Sequence, residues 1–176
     1  MSYKSRQVGL LVLRILLFWL LLRVPYLSQH SPEWWIANDC GPAVANMLIE
    51  YYTGEVLHPF QYYADMNIPF HTLQNEEIIA QWLTQRGVPS QTFHDWTLEE
   101  LKQKVNIERI PVIATIQTDH GGHFVIITKV TSTYVLAHDP WISPHYPYSI
   151  DDFMKMWEYE WSWTEFTGIV PDNARN

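Results

Sequence analysis

The second half of the chain consists of runs of β-branched and apolar residues separated by very short interruptions, and this pattern constrains the fold more than any other feature. Pro111 to Gln117, His123 to Val130 and Thr133 to Ala137 each have the composition of a β-strand. Gly121-Gly122 separates the first two runs and Thr131-Ser132 the last two, and connections as short as these join antiparallel neighbours. The sequence therefore predicts an antiparallel meander.

The first half of the chain has apolar residues at helical spacing instead. Helices are predicted over Val44 to Tyr52, Thr72 to Arg86 and Thr97 to about Val105. Residues 55–71 are expected to be irregular because prolines interrupt them. The remaining predicted elements are a strand over Val88 to Phe93, a helix over Ser149 to Trp157 and a strand over Trp161 to Val170. Helices first and a sheet later indicate an α+β fold, with N-terminal helices packed on a C-terminal antiparallel sheet.

Charge and cysteine content narrow the classes of function. The first 23 residues hold four of the eleven basic residues and no acid, so the remainder has seven basic against nineteen acidic residues, a net charge of −12. A body this acidic argues against nucleic acid as the partner. The single cysteine, Cys40, excludes an intrachain disulfide and any zinc site built from several cysteines.

Residues Val8 to Leu22 are almost all apolar, with Lys4 and Arg6 before them and Arg23 after them. The pattern fits an uncleaved membrane anchor, a cleaved export signal or a packed helix, and we favour the anchor. A run of 15 residues is short for a span, since about 20 are usual. Arg14 in its middle costs about 2.5–3.5 kcal/mol in lipid.

These features divide the chain into a hydrophobic N-terminal segment, residues 1–23, and a folded domain, residues 24–176. The possible partner of residues 8–22 is a membrane. The basic N-terminal flank indicates a cytoplasmic start and therefore an extracytoplasmic domain, although Arg23 at the other flank weakens this orientation signal.

Cys40 lies in the stretch Asn38-Asp39-Cys40-Gly41-Pro42, at the predicted start of a helix. Asn38 and Asp39 are preferred N-cap residues, and Pro42 suits a first helical turn. Free backbone N–H groups and the helix dipole at such a position stabilise a thiolate, which favours a nucleophile. The simpler interpretation is a small buried apolar residue, the commoner role of a lone cysteine.

A cysteine nucleophile needs a base, and the base needs an orienting group. His123 opens a predicted strand, and Asp139 ends the next one, directly before Pro140. If the two strands form a hairpin, the start of one lies beside the end of the other, which brings His123 and Asp139 together. Taken singly, His123 has the simpler interpretation of an exposed polar residue, and Asp139 that of a turn residue.

Gln29 precedes Cys40 by 11 residues, and its amide could join the Cys40 backbone N–H in an oxyanion hole. Most glutamines are merely exposed, which is the simpler interpretation. A zinc site is a weaker alternative, because the spacing matches no standard zinc pattern; its ligands would come from His120, His123, His138 and Asp139. No cofactor is expected.

Several stretches of the chain occur in a specific order: VPYLSQ, NDCGPAVANMLIEYYTG, GGHFVIITKV, YVLAHDPW and YSIDDFMKMWE. In this combination the sequence resembles the papain-like cysteine peptidases of the thirty-ninth cysteine-peptidase family, best known for processing bacteriocin precursors after a double-glycine leader. The resemblance covers residues 24 to about 170. It implies a papain-like fold, with Cys40 as nucleophile, His123 as general base and acid, Asp139 as orienting group and Gln29 as oxyanion donor.

Two functions are therefore compared. The first is a cysteine peptidase that hydrolyses peptide bonds of a peptide or protein substrate. The second is a non-catalytic peptide-binding module on the same fold, tethered at a membrane. The complete set of four residues favours the peptidase, and a fast reaction of Cys40 with iodoacetamide would separate it from a buried, inert thiol.

Overall fold

The computed structural model describes residues 21–30, 40–58, 60–70, 72, 74–158 and 165–173. Its helices are α1 (Cys40–Thr53), α2 (Gln61–Met66), α3 (Glu76–Gln85), α4 (Leu98–Lys102) and α5 (Ile150–Trp157), and a π-helical turn (Gln103–Ile107) continues α4. Its strands are β1 (Ser90–Phe93), β2 (Val112–Thr118), β3 (Gly121–Val130), β4 (Tyr134–Asp139), β5 (Ser143–Ser149) and β6 (Gly168–Pro171).

The strands form one antiparallel sheet in the order β1-β6-β2-β3-β4-β5. The predicted meander is confirmed as β2-β3-β4, and β5 extends it by one strand. Helix α1 packs on β3, and α5 packs on β2. The α+β prediction, with helices on an antiparallel sheet, is confirmed.

Local side-chain caps explain where three helices begin. The Asn75 side chain accepts a hydrogen bond from the Ile78 N–H at the start of α3, and Ser149 caps α5 in the same way. Thr97 and Glu100 form a reciprocal capping box at α4, which satisfies two backbone donors at once. Helix α3 begins later than predicted because Asn75, rather than Thr72, is its cap.

The structure corrects the sequence interpretation at three places. Residues 55–71 contain the short helix α2, which ends at Asn67 in a left-handed conformation (φ 50°). Strand β5 was not predicted; it lies at the sheet edge, where its two prolines are tolerated. Gly121 and Gly122 belong to β3 rather than to the preceding turn, so His123 is the third residue of its strand.

Only the last residues of the predicted N-terminal segment lie in the described part of the chain. Leu22 is 2% exposed and belongs to the core, and Arg109 donates a hydrogen bond to the Leu21 carbonyl (3.0 Å). Among the described residues, no helix has the length and apolar character that crossing a bilayer requires. The predicted caps Asn38 and Asp39 lie outside the described residues.

Candidate active site

Cys40 is the first described residue of α1, in agreement with the predicted helix start, and its side chain is partly exposed. The next residue, Gly41, packs tightly on α3 and the segment before it. A Cβ atom at Gly41 would lie 2.9 Å from Ile79 Cδ1 and 3.0 Å from Gln74 Oε1. A side chain at Gly41 would therefore displace Ile79 and Gln74, so glycine lets the start of α1 pack closely on these neighbours.

The hairpin of β3 and β4 brings His123 and Asp139 together. His123 Nε2 lies 2.8 Å from Asp139 Oδ1, and both residues are buried, at 7% and 1% exposure. Because Nε2 faces the carboxylate, Nδ1 is the ring nitrogen left for Cys40, whose side chain lies near enough to raise the pKa of His123. The three side chains come from α1, β3 and β4 and meet in one place.

Asp139 is held as a carboxylate by several donors. Oδ1 accepts hydrogen bonds from His123 and from the Trp141 N–H (2.8 Å), and Oδ2 accepts one from the Tyr148 hydroxyl. Burial alone would raise the pKa of Asp139, but its hydrogen bonds with His123, Tyr148 and the Trp141 N–H lower it below the usual value. Asp139 is therefore ionised at neutral pH.

The electrostatics of His123 follow from the same contacts. Burial lowers the pKa of this imidazole, but the hydrogen bond to Asp139 and the charges of Asp139 and Cys40 nearby outweigh burial and raise the pKa to about 9. The protonated ring is stabilised between two groups that carry or develop negative charge. Such a site can hold a proton taken from a thiol and can later donate it.

Gln29 is positioned by the extended segment that contains it. The Tyr26 hydroxyl donates to the Asp139 carbonyl (3.0 Å), and the Gln29 N–H donates to the Pro140 carbonyl (2.9 Å). Gln29 is 2% exposed, and within the described part of the chain its Oε1 has no hydrogen-bond partner. The residue is thus a buried component of the corner that holds Asp139, not a surface glutamine.

His138 has a structural position that the sequence did not indicate. Its Nε2–H donates to the Val24 carbonyl (2.9 Å), and its Nδ1 accepts from the His145 N–H (3.1 Å). Burial lowers the pKa of His138 to about 4, so the ring is neutral and links the segment of Val24 to β4 and β5. In the described residues no three His, Cys, Asp or Glu side chains are grouped to hold a metal ion.

Trp141 forms an exposed apolar surface next to this corner. Trp141 is 44% exposed, and the His30 ring stands edge-on to its indole with the ring centroids 4.2 Å apart. Both residues adjoin the proposed site in sequence, since His30 follows Gln29 and Trp141 lies two residues after Asp139. An exposed indole here offers contact area for an extended peptide.

Sequence reasoning missed Tyr148 and Tyr26, which both bond to Asp139. Tyr148 lies on β5, the strand that was not predicted, so nothing in the sequence pattern placed it near Asp139. Tyr26 lies in the stretch VPYLSQ, one of those that carry the family resemblance, but its partner is 113 positions away in the chain. Local patterns do not indicate contacts of this separation.

Comparison with known proteins places the chain in a peptidase family. The model of the Peptidase_C39 like family matches residues 21–169. No curated protein sequence matches the chain significantly.

Three solved structures share the fold. A protein from Bacillus anthracis described as a C39-like peptidase aligns with a TM-score of 0.65 and 12% identity, over 88% of this chain and 96% of its own. A double-glycine motif protease from an AMS/PCAT transporter, in complex with the leader peptide, aligns with a TM-score of 0.62 and 18% identity, over 86% of this chain and 94% of its own. The peptidase domain of Streptococcus ComA, a bifunctional ABC transporter involved in quorum sensing, aligns with a TM-score of 0.61 and 12% identity, over 85% of this chain and 98% of its own.

Proposed function

The chain belongs to the Peptidase_C39 like family of cysteine peptidases, and we propose that it hydrolyses peptide bonds through Cys40, His123 and Asp139, with Gln29 as an oxyanion donor. The observation that carries the proposal is the position of His123. Its ring hydrogen-bonds the buried Asp139 carboxylate, and the only cysteine of the chain lies close enough to the ring to raise its pKa. An imidazole placed between a carboxylate and a thiol supports a triad in which the thiol is the nucleophile, the imidazole its base and the carboxylate the orienting group.

In the proposed reaction His123 takes the proton of Cys40 through Nδ1, and the thiolate attacks the peptide carbonyl carbon. A tetrahedral intermediate forms and collapses when His123 donates that proton to the leaving amine, which breaks the C–N bond. Water, activated by His123, then hydrolyses the thioester and restores the thiol. Because its pKa is about 9, His123 can remain protonated beside the thiolate through neutral pH and until the pH approaches that value.

Asp139 has two parts in this scheme. It fixes the imidazole by holding Nε2, so that Nδ1 is directed at Cys40, and it stabilises the imidazolium that forms. It stays ionised throughout, since its own pKa is lowered by the hydrogen bonds that surround it. Proton transfer in this scheme therefore involves Cys40, His123, the substrate and the attacking water, and not Asp139.

Gln29→Ala is expected to lower kcat by about 10²–10³, or about 2.7–4 kcal/mol in the barrier, the effect seen on removing a side-chain oxyanion donor. The donor acts only on charge that develops in the transition state, so KM should change little. Steady-state kinetics on a fluorogenic peptide would measure both constants. Gln81→Ala, at an exposed glutamine on α3, is the matched control; equal kinetics for the two variants would remove Gln29 from the mechanism.

The proposed substrate is a peptide or protein segment in extended conformation. Two structural neighbours, named for a double-glycine motif and for a peptidase domain of a transporter, provide the precedent for a peptide, and the exposed ring of Trp141 supports one. Incubating the full chain with a peptide library and identifying the products by mass spectrometry tests the activity. A complete absence of products that depend on Cys40 would contradict it.

We further propose that the apolar N-terminal segment attaches the enzyme to a membrane through the residues that precede Leu21, since Leu22 belongs to the core, with the peptidase on the extracytoplasmic side. The support is the apolar run of residues 8–22 and its basic flank. Cells that express the full chain should retain it in the membrane pellet until detergent is added. Leu16→Glu/Leu17→Glu should release the protein, whereas Arg14→Leu, which removes the charge inside the run, should not; recovery of the unaltered chain in the soluble fraction would overturn the proposal.

A further inference from the structure

Tyr148 makes a contact that the proposed mechanism does not yet use. Its hydroxyl donates a hydrogen bond to Oδ2 of Asp139, the carboxylate oxygen that His123 does not contact. The other oxygen, Oδ1, accepts from His123 Nε2 and from the Trp141 N–H, each at 2.8 Å. The two oxygens of one buried carboxylate therefore have separate partners, and Tyr148 is the side-chain partner of the second.

The tyrosine is itself held in place. Tyr148 lies on β5, pairs with Val135 of β4 and is 7% exposed. Its ring contacts Tyr146 and Phe153, with centroids 4.8 and 6.4 Å away. Burial and the hydrogen bond to Asp139 raise the pKa of Tyr148 far above neutrality, so the hydroxyl stays protonated and remains a donor.

A carboxylate needs such a restraint because it turns easily about its Cβ–Cγ bond, for which rotamer preferences are broad. Contacts to Oδ1 alone leave Oδ2 free to move and to exchange places with it. An unpaired oxygen on a buried anion also carries the full desolvation penalty. Tyr26 does not replace Tyr148, because its hydroxyl reaches the backbone carbonyl of Asp139 and not the carboxylate.

We propose that Tyr148 is a positioning residue of the active site, whose hydroxyl clamps Oδ2 of Asp139 and so keeps Oδ1 on the His123 ring. The proposal rests on the proposed peptidase function, because it assigns Tyr148 to the same catalytic group. Tyr148 touches no reacting atom; it acts through Asp139 on the imidazole. The titratable groups that face Tyr148 are Asp139 at the end of β4 and Tyr146 on its own strand. Asp139 in turn contacts His123 from β3 through its carboxylate and Tyr26 through its backbone carbonyl.

The effect of losing the clamp has a definite sign. A mobile or less ionised Asp139 stabilises the imidazolium less, so the pKa of His123 falls from its value of about 9 toward that of free histidine. The proton of Cys40 then has a weaker acceptor, and less thiolate exists at neutral pH. The alkaline limb of kcat/KM therefore moves to lower pH.

Tyr148→Phe tests the clamp because it removes the hydroxyl and keeps the ring. In the full chain with ¹⁵N-labelled histidine, NMR titration should show the pKa of His123 lowered by about one unit, the size of shift that loss of one hydrogen bond to a charged group produces. The rate of alkylation at pH 7 should fall several-fold. Since Cys40 is the only cysteine, iodoacetamide reports on it directly. We expect kcat to fall about tenfold with KM nearly unchanged.

Tyr146→Phe is the matched control. Tyr146 is on the same strand with its ring beside that of Tyr148, and among the described residues its hydroxyl makes no hydrogen bond to Asp139. The control should leave the His123 titration and the alkylation rate unchanged. In an Asp139→Asn background, Tyr148→Phe should have no further effect on either readout, because the group through which it acts has already been altered.

A merely structural tyrosine would lower the melting temperature on substitution but leave the His123 titration and the alkylation rate where they were. That result, or an equal shift with Tyr146→Phe, would overturn the proposal. NMR and alkylation need no turnover. If the full chain cleaves no peptide but the His123 titration still moves in Tyr148→Phe, the peptidase function fails while the clamp stands.

Discussion

Cys40→Ala is expected to abolish peptide cleavage completely while the domain stays folded. The thiolate forms the covalent bond to the substrate, and no second cysteine can replace it, because the chain contains one. The change removes a single atom from a partly exposed side chain, so the core loses little contact. Product formation from the peptide library, measured by mass spectrometry beside circular dichroism of the same samples, gives both quantities.

The inhibition of the unaltered protein provides an independent check on this result. Iodoacetamide should inactivate the enzyme in proportion to the alkylated fraction of Cys40, because one thiol accounts for the whole activity. A folded Cys40→Ala protein that cleaves peptides at the original rate would end the proposed mechanism. A protein whose activity survives complete alkylation would do the same.

His123→Gln should lower kcat by about 10⁴ or more, as expected when one member of a cooperating triad is removed. Glutamine can still donate a hydrogen bond to Asp139, which limits the penalty for leaving that buried carboxylate without its partner. It cannot accept and return a proton, so Cys40 loses its base and the leaving amine loses its acid. The alkylation rate of Cys40 at neutral pH should fall in parallel.

Stopped assays on a fluorogenic peptide, with His94→Gln as control, would measure this loss. His94 is an exposed histidine that follows β1, away from the hairpin of β3 and β4. Melting temperatures distinguish a catalytic defect from unfolding. An active, stable His123→Gln protein would assign the base to another residue.

The sequence predicted those parts of the site that depend on neighbours in the chain. His123 and Asp139 are brought together by one hairpin, and strand patterning with a short turn is enough to predict a hairpin. The position of Cys40 followed from the helical periodicity after it. The roles of these residues came from the resemblance to a peptidase family, since periodicity alone does not distinguish a nucleophile from a buried thiol.

The parts that the sequence did not predict depend on contacts between distant segments. Strand β5 has Pro144 and Pro147, which argue against a strand unless it lies at an edge, and that fact is known only from the assembled sheet. Tyr148, the partner of Asp139, was missed with it. The burial of Gln29 likewise follows from its bond to Pro140 and not from any property of residues 24–29 themselves.

The hydrogen bonds of residues 24–29 also hold the start of the described chain against the sheet. Val24, Tyr26 and Gln29 are each fastened to the end of β4 or to the residue after it, and Leu22 is enclosed in the core. An extended chain from Leu22 to Gln29 reaches on the order of 20 Å. Because residues along this segment are bonded to His138, Asp139 and Pro140, a force applied at Leu22 would be transmitted to the backbone around Asp139.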